Sequence, residues 1–220
     1  MQAFEELHVY EEAERRSAAM NMAIDEALLE TATAPTLRFY GWARPSLSFG
    51  YFGAFADVAH ELAVRDIVRR WTGGGIVLHE TDLTYSVILP RRSGESPASS
   101  PAIYAQVHRA IERALSPHMR AELAPADAPK TSAACFANPV RADVVAGGKK
   151  IAGAAQRRTR TGLLHQGSIQ LETWPAELRQ AFAAALSTRV ERREFSDALI
   201  NRAAELAARK YSTAGWLRQR

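Results

Sequence analysis

The chain has 220 residues, 47% of them hydrophobic and 24% charged, enough to bury a sizeable core without help from disulfides or a structural metal. Lys and Arg exceed Asp and Glu, giving a net charge of +4 and a pI near 9.5. That mild excess favours an acidic carrier protein or a nucleotide phosphate as partner. Scattered basic residues with no recognised nucleic-acid motif argue against DNA or RNA.

The lone cysteine, Cys135, excludes an internal disulfide and fits a reducing cytoplasm. The first thirty residues are charged and helical in character, unlike a signal or transit peptide. No apolar run approaches the roughly 20 residues of a membrane span.

In chain order, residues 18–32 place Met20, Ala23, Ile24, Ala27 and Leu28 at helical spacing, with Ser17 as N-cap. Residues 37–42 and 46–52 are short, aromatic-rich and split by Arg44-Pro45, which predicts a hairpin or two neighbouring strands. Residues 55–65 read as helix. Segments 67–71, 76–79 and 83–90 read as strands, separated by Gly73-Gly74-Gly75 and Glu80-Thr81-Asp82. A polar loop over 91–101 precedes a helix over 102–115, with Ile103, Val107, Ile111 and Leu115 on one face. After a second polar loop near 124–134, Gly147-Gly148 joins two strands of a hairpin, followed by a strand over 163–172. Helices over 175–186 and 195–210 close the chain. This order predicts an α+β domain spanning 1–220: a mixed, mainly antiparallel sheet flanked by helices.

Three segments carry chemistry. In Arg69-Arg70-Trp71-Thr72-Gly73-Gly74-Gly75, the glycines suit close approach of backbone to a ligand or a positive φ. Bare N–H groups there can cradle an oxyanion, and the arginines supply charge. The segment lacks the Lys-Ser/Thr ending of a phosphate-binding P-loop; the alternative is a hairpin turn beside surface arginines. In Lys149-Lys150-Ile151-Ala152-Gly153-Ala154-Ala155, strand alternation places Lys150 with Ala152 and Ala154, over a floor open to a slim ligand. Lys150 can hold a carbonyl or phosphate oxygen; it can equally be a surface lysine after a turn. Cys135 can carry an acyl group as a thioester if its pKa is lowered by cations such as Lys149, Lys150 or Arg141; otherwise it is a small buried residue. His79 and His165 each follow an apolar strand and are either general bases or satisfied strand-end histidines. No carboxylate or cysteine stands at metal-ligand spacing from them.

Together these segments resemble the lipoate–protein ligase and octanoyltransferase family, related to the biotin ligases. The resemblance runs from Asn21-Met22-Ala23-Ile24-Asp25-Glu26 through Leu37–Trp42, Ser48–Phe52 and the arginine–triglycine–histidine segment. It continues to Lys150–Gln156, His165–Ser168 and Lys210–Thr213 with Trp216. It implies a central mixed sheet with an acyl chain threaded beneath the glycine loop. By resemblance, Arg70, Thr72 and Gly73, Gly74 and Gly75 line the pocket and His79 stands at its edge. Lys150 contacts the acyl carbonyl or an adenylate phosphate, and Gly153, Ala154 and Ala155 form the floor. Cys135 sits where the ligase-like octanoyltransferase branch carries its nucleophile, whereas Gly75 is ligase-like and Gly53 replaces an expected glutamine.

Three activities follow from the resemblance. An octanoyltransferase would pass octanoate from octanoyl-acyl carrier protein through Cys135 to a lysine of a lipoyl domain or glycine-cleavage H protein, without cofactor. An ATP-dependent lipoate ligase would use ATP and Mg to form lipoyl-adenylate. A non-catalytic acyl-binding partner of a longer ligase is the third.

Overall fold

The computed structural model describes residues 3–91, 98–129, 135–173 and 175–219, with Cys135 described by its backbone alone. In chain order the elements begin β1 (Leu7–Glu11), α1 (Ala18–Thr31), β2 (Thr36–Tyr40), β3 (Ser46–Phe49), β4 (Asp66–Arg69), β5 (Val77–His79) and β6 (Leu83–Pro90). They continue α2 (Ser100–Leu115), β7 (Glu122–Leu123), β8 (Val144–Ala146), β9 (Lys149–Arg158) and β10 (Gly162–Ile169). α3 (Leu178–Leu186), β11 (Val190–Arg192), α4 (Asp197–Leu206) and α5 (Ala214–Leu217) follow, with a π-helical turn over Ala207–Tyr211 between the last two.

The main sheet runs β11-β1-β2-β6-β10-β9-β8-β7. β1 is parallel to both neighbours and the remaining pairs are antiparallel. It is thus the mixed, mainly antiparallel sheet expected. Central strands bury both faces, with successive residues serving opposite cores. Leu37, Val87 and Leu163 join α2 and α3 on one side. Ile88 and Leu164 join α1 and α4 on the other. The predicted face of α2 (Ile103, Val107, Ile111 and Leu115) is buried throughout. Ser17 caps α1 by accepting from the Met20 N–H. No helix among the described residues is long and apolar enough to cross a membrane.

The structure departs from the sequence reading in three places. Residues 7–11 form a strand, not helix, because Leu7 and Val9 alternate into the core between half-exposed His8 and Tyr10. β2 and β3 are not partners: β2 pairs with β6, whereas β3 joins a separate sheet of order β4-β3-β5. The break follows Trp42, whose buried indole N–H donates to Thr84 Oγ1 at 2.8 Å and anchors the chain before it leaves the main sheet. Residues 55–65 hold only single 3₁₀ turns at Phe55–Asp57 and Ala59–Glu61. Val58 alone is buried there, so no apolar stripe stabilises a longer helix.

Candidate active site

A cleft of about 400 Å³, counting its open mouth, lies between the two sheets. Its floor is built from small residues brought into register across the main sheet. Gly153 on β9 stands opposite Ser168 on β10, Ser168 opposite Thr84 on β6, and Thr84 opposite Tyr40 on β2. That row crosses three strand spacings, about 14 Å. Ala154, Ala155, Gln166 and Gly167 widen the floor; Ser48, Arg70, Val77 and His79 form the facing wall.

The glycine loop touches β3 backbone to backbone. A Cβ on Gly50 would lie 2.0 Å from the Gly74 carbonyl oxygen, and Gly74 has φ +85°, a conformation that favours glycine. Arg70 is spent largely on shaping this loop. Its Nη2 donates to the carbonyls of Gly73 (3.0 Å) and Gly75 (2.8 Å), and its Nη1 donates to Ser48 Oγ (2.7 Å). Thr72 is fully buried and donates to Gln166 Oε1 at 2.7 Å. Gln166 Nε2 donates onward to Asp25 Oδ2 at 2.8 Å. Thr72 therefore ties the loop to the floor from behind, and Arg70 and Gln166 face the cleft in its place.

His79 lines the cleft, stacked on Trp42 with ring centroids 4.0 Å apart. Its Nε2 is 2.7 Å from Ser48 Oγ and its Nδ1 2.9 Å from Asp82 Oδ2. The same Asp82 oxygen accepts from Thr84 Oγ1 (2.8 Å) and Ser168 Oγ (2.7 Å). Burial pushes the Asp82 carboxyl up, but His79 and the two hydroxyl donors outweigh it and hold it below the ordinary range. His165 takes the other role, but in the middle of β10 and not at a strand end. It is fully buried, with Nδ1 3.0 Å from Gln156 Nε2 and Nε2 3.3 Å from the Tyr85 hydroxyl. Burial, then His108, hold its pKa well below the usual value, so it is a neutral core residue outside the cleft.

Lys150 stands at the β9 end of the floor, but not on the face predicted for it. A β-bulge, where Val144 pairs with Ala152 and Val145 with Lys150, makes Ile151 the extra residue. The bulge breaks strict alternation. Lys150 folds over Gly153, where an added Cβ would meet Lys150 Cε at 2.2 Å, while Ile151 and Ala152 both enter the core. Lys150 Nζ is 2.8 Å from Asp143 Oδ2, with both side chains buried. The backbone of Cys135 begins a 3₁₀ turn, Cys135–Ala137, that packs against β9. The Phe136 ring lies 5.4 Å from Lys150 Nζ. The Cys135 side chain itself lies outside the described residues. Lys149 is exposed on the outer side of the hairpin.

Sequence reading missed Ser48, Asp82, Gln166, Tyr104 and Asp143. Only Asp82 carried a local signal, three residues after His79. The others come from elements far apart in the chain. Among the described residues no group of three or more His, Cys, Asp or Glu side chains could hold a metal ion.

The chain is similar to known proteins in sequence and in fold. The chain is 39% identical over 167 residues to octanoyltransferase LipM of Oceanobacillus iheyensis, covering 71% of this chain and 61% of that protein. It is 41% identical over 182 residues to octanoyltransferase LipM of Kyrpidia tusciae, covering 74% and 65%. The chain thus spans under two thirds of the length of these curated relatives. The fold matches a candidate lipoate protein ligase of T. acidophilum with bound lipoic acid: TM-score 0.76, 23% identity, 98% of this chain and 99% of that one. It also matches lipoate-protein ligase A bound with ATP: TM-score 0.74, 23% identity, 99% and 98%. The lipoyl protein ligase A/B catalytic domain matches residues 17–208, and the chain belongs to that family.

Proposed function

We propose that residues 1–220 form one catalytic domain that transfers an octanoyl group from octanoyl-acyl carrier protein to the lysine of a lipoyl domain or an H-protein-type acceptor. The observation that carries this reading is the placement of Lys150. Its ammonium lies at one end of a narrow floor of glycine, alanine and serine, beside the turn that begins at Cys135. An extended eight-carbon chain spans about 9 Å at roughly 1.3 Å per bond, less than the length of the row from Gly153 to Tyr40. The similarity to two octanoyltransferases supports the same donor.

In this reading the Cys135 thiolate attacks the thioester carbonyl, and Lys150 with the loop amides steadies the oxyanion. The carrier thiol leaves, the acceptor amine attacks the new thioester, and Cys135 is released. Arg70, Thr72 and Gly73 to Gly75 shape the groove, His79 closes its wall, and Gly153 to Ala155 support the chain. The reaction needs neither ATP nor metal. A single thiol suits a reducing cytoplasm.

The test is intact mass spectrometry after incubation with octanoyl-acyl carrier protein and no ATP. A hydroxylamine-sensitive octanoyl adduct, absent from Cys135→Ser, is expected. An unmodified protein that instead forms lipoyl-adenylate from lipoate, ATP and Mg overturns the reading in favour of a ligase.

A further inference from the structure

Lys150 is not held by Asp143 alone. The Tyr104 hydroxyl, from the second turn of α2, donates to Asp143 Oδ1 at 2.5 Å, while Lys150 occupies Oδ2 at 2.8 Å. The backbone N–H of Val140 also donates to Oδ2, at 2.7 Å. The same phenol oxygen accepts from the Ala154 N–H at 3.1 Å. Ala154 is the middle residue of the glycine–alanine floor. One hydroxyl therefore joins the floor of the cleft to the carboxylate that grips the ammonium.

We infer that Tyr104 is a positioning residue: through Asp143 it fixes the Lys150 ammonium relative to the Gly153–Ala155 floor, so that the ammonium meets the acyl carbonyl. This rests on the octanoyl-transfer reading given above. Three features support it. A buried ion pair is costly unless the remaining oxygens are satisfied, and here Tyr104 supplies the donor for the oxygen that Lys150 does not use. Burial and the Asp143 charge push the phenol far above its ordinary pKa, so it stays a donor. Finally, Ala142, just before Asp143, is the one non-glycine residue at positive φ (68°) among the described residues. Its carbonyl is 2.7 Å from His108 Nδ1, and its N–H donates to the Ala124 carbonyl at 2.8 Å. Backbone held in a disfavoured region by several partners fixes where the next side chain points.

Tyr104→Phe removes one oxygen and leaves the ring in place. In lysine-¹⁵N-labelled protein, the wild type is expected to show a slowly exchanging ammonium signal that is missing from Lys150→Arg. That signal is lost or broadened in Y104F. In the transfer assay Y104F lowers kcat about tenfold to a hundredfold with KM for the octanoyl donor unchanged, and it causes no further loss in a Lys150→Ala background. Asp143→Asn, with Tyr104 intact, also abolishes the signal, and it serves in place of Y104F should that variant not fold. An unchanged ammonium signal in Y104F, or equal losses in the wild-type and Lys150→Ala backgrounds, overturns the inference. If the wild type transfers no octanoyl group, the functional reading fails, and the ammonium signal alone decides the positioning role: its persistence in Y104F refutes it, its loss upholds it.

Discussion

Ser48 and His79 share one proton whose direction is fixed by a third residue. Asp82 can only accept, so the proton of a neutral His79 lies on Nδ1, facing it, and Nε2 is left as the acceptor for the Ser48 hydroxyl 2.7 Å away. Ser48 Oγ in turn accepts from Arg70 Nη1 at 2.7 Å. One hydroxyl thus links the wall histidine to the arginine that holds the glycine loop.

Ser48→Ala removes that link and takes away one acceptor of Arg70 Nη1. The expected cost is about 1–3 kcal/mol, read from urea denaturation. The ¹⁵N shift of His79 Nε2 is expected to change as it loses its hydrogen-bond donor, while Nδ1 keeps its proton facing Asp82. A mutant as stable as the parent, with an unchanged Nε2 shift, would show that the hydroxyl carries no such role.

Gly50→Ala is expected to displace the glycine loop. The new Cβ would lie 2.0 Å from the Gly74 oxygen and 2.7 Å from the Gly73 carbonyl carbon, both backbone atoms that cannot rotate away. Overpacking of this kind costs about 1–3 kcal/mol, and octanoyl transfer falls with it. Gly215→Ala is the contrast: nothing lies within 4 Å of its Cβ, and helical alanine is favoured over glycine by roughly 0.5–1 kcal/mol. Thermal melts of the two variants should move in opposite directions.

Stability depends on pH through the two buried histidines. Burial lowers the His108 pKa to about 4 and takes His165 well below its ordinary value. Between that folded value and the unfolded value near 6.5, the unfolded chain binds more protons. Stability therefore rises with pH through this window and falls as acid is added from about 6.5 towards 4. The urea midpoint is expected to drop across that range. His108→Asn, which keeps a donor for the Ala142 carbonyl, should flatten part of the slope; an unaltered slope would remove His108 from the account.

Lys210 closes the far side of the glycine loop. Its Nζ donates to Glu26 Oε2 at 2.6 Å and lies 4.1 Å from the Trp71 ring centroid and 4.4 Å from that of Trp216. Lys210→Met takes one donor from the buried Glu26 carboxylate and leaves it the Tyr211 hydroxyl at 2.5 Å. A loss of about 1–3 kcal/mol is expected, with a change in tryptophan emission. Unshifted emission with full stability would mean that the cation contributes little there.

Much of the fold was legible because its signals are local. Gly147 and Gly148, both at positive φ, turn β8 into β9, and β6 and β10, with Val87-Ile88-Leu89 and Leu163-Leu164, read as strands. β1 was missed because its alternation is short, carries His8 and Tyr10 on the other face and ends in exposed Glu11. The glycine loop, Lys150 and the small-residue floor were visible as motifs. What was not visible is how they are held. Asp143 reaches Lys150 only because of a bulge, Thr72 faces Gln166 across 94 positions, and Tyr104 meets Ala154 across 50. Such pairings depend on topology, which no spacing in the chain encodes.

Arg69, next to Arg70 in sequence, has a quite different reach. Fully buried, it donates to the carbonyls of Tyr51 and Gly53 on one side and of Trp216 and Leu217 on the other. Ordering of the 51–53 segment, which lies against the glycine loop, and ordering of the segment around α5 are thereby drawn from one shared free energy. Coupling of that sort is reciprocal: an acyl ligand that quiets the loop must also slow hydrogen exchange at the amides of Trp216 and Leu217, although neither residue touches the cleft.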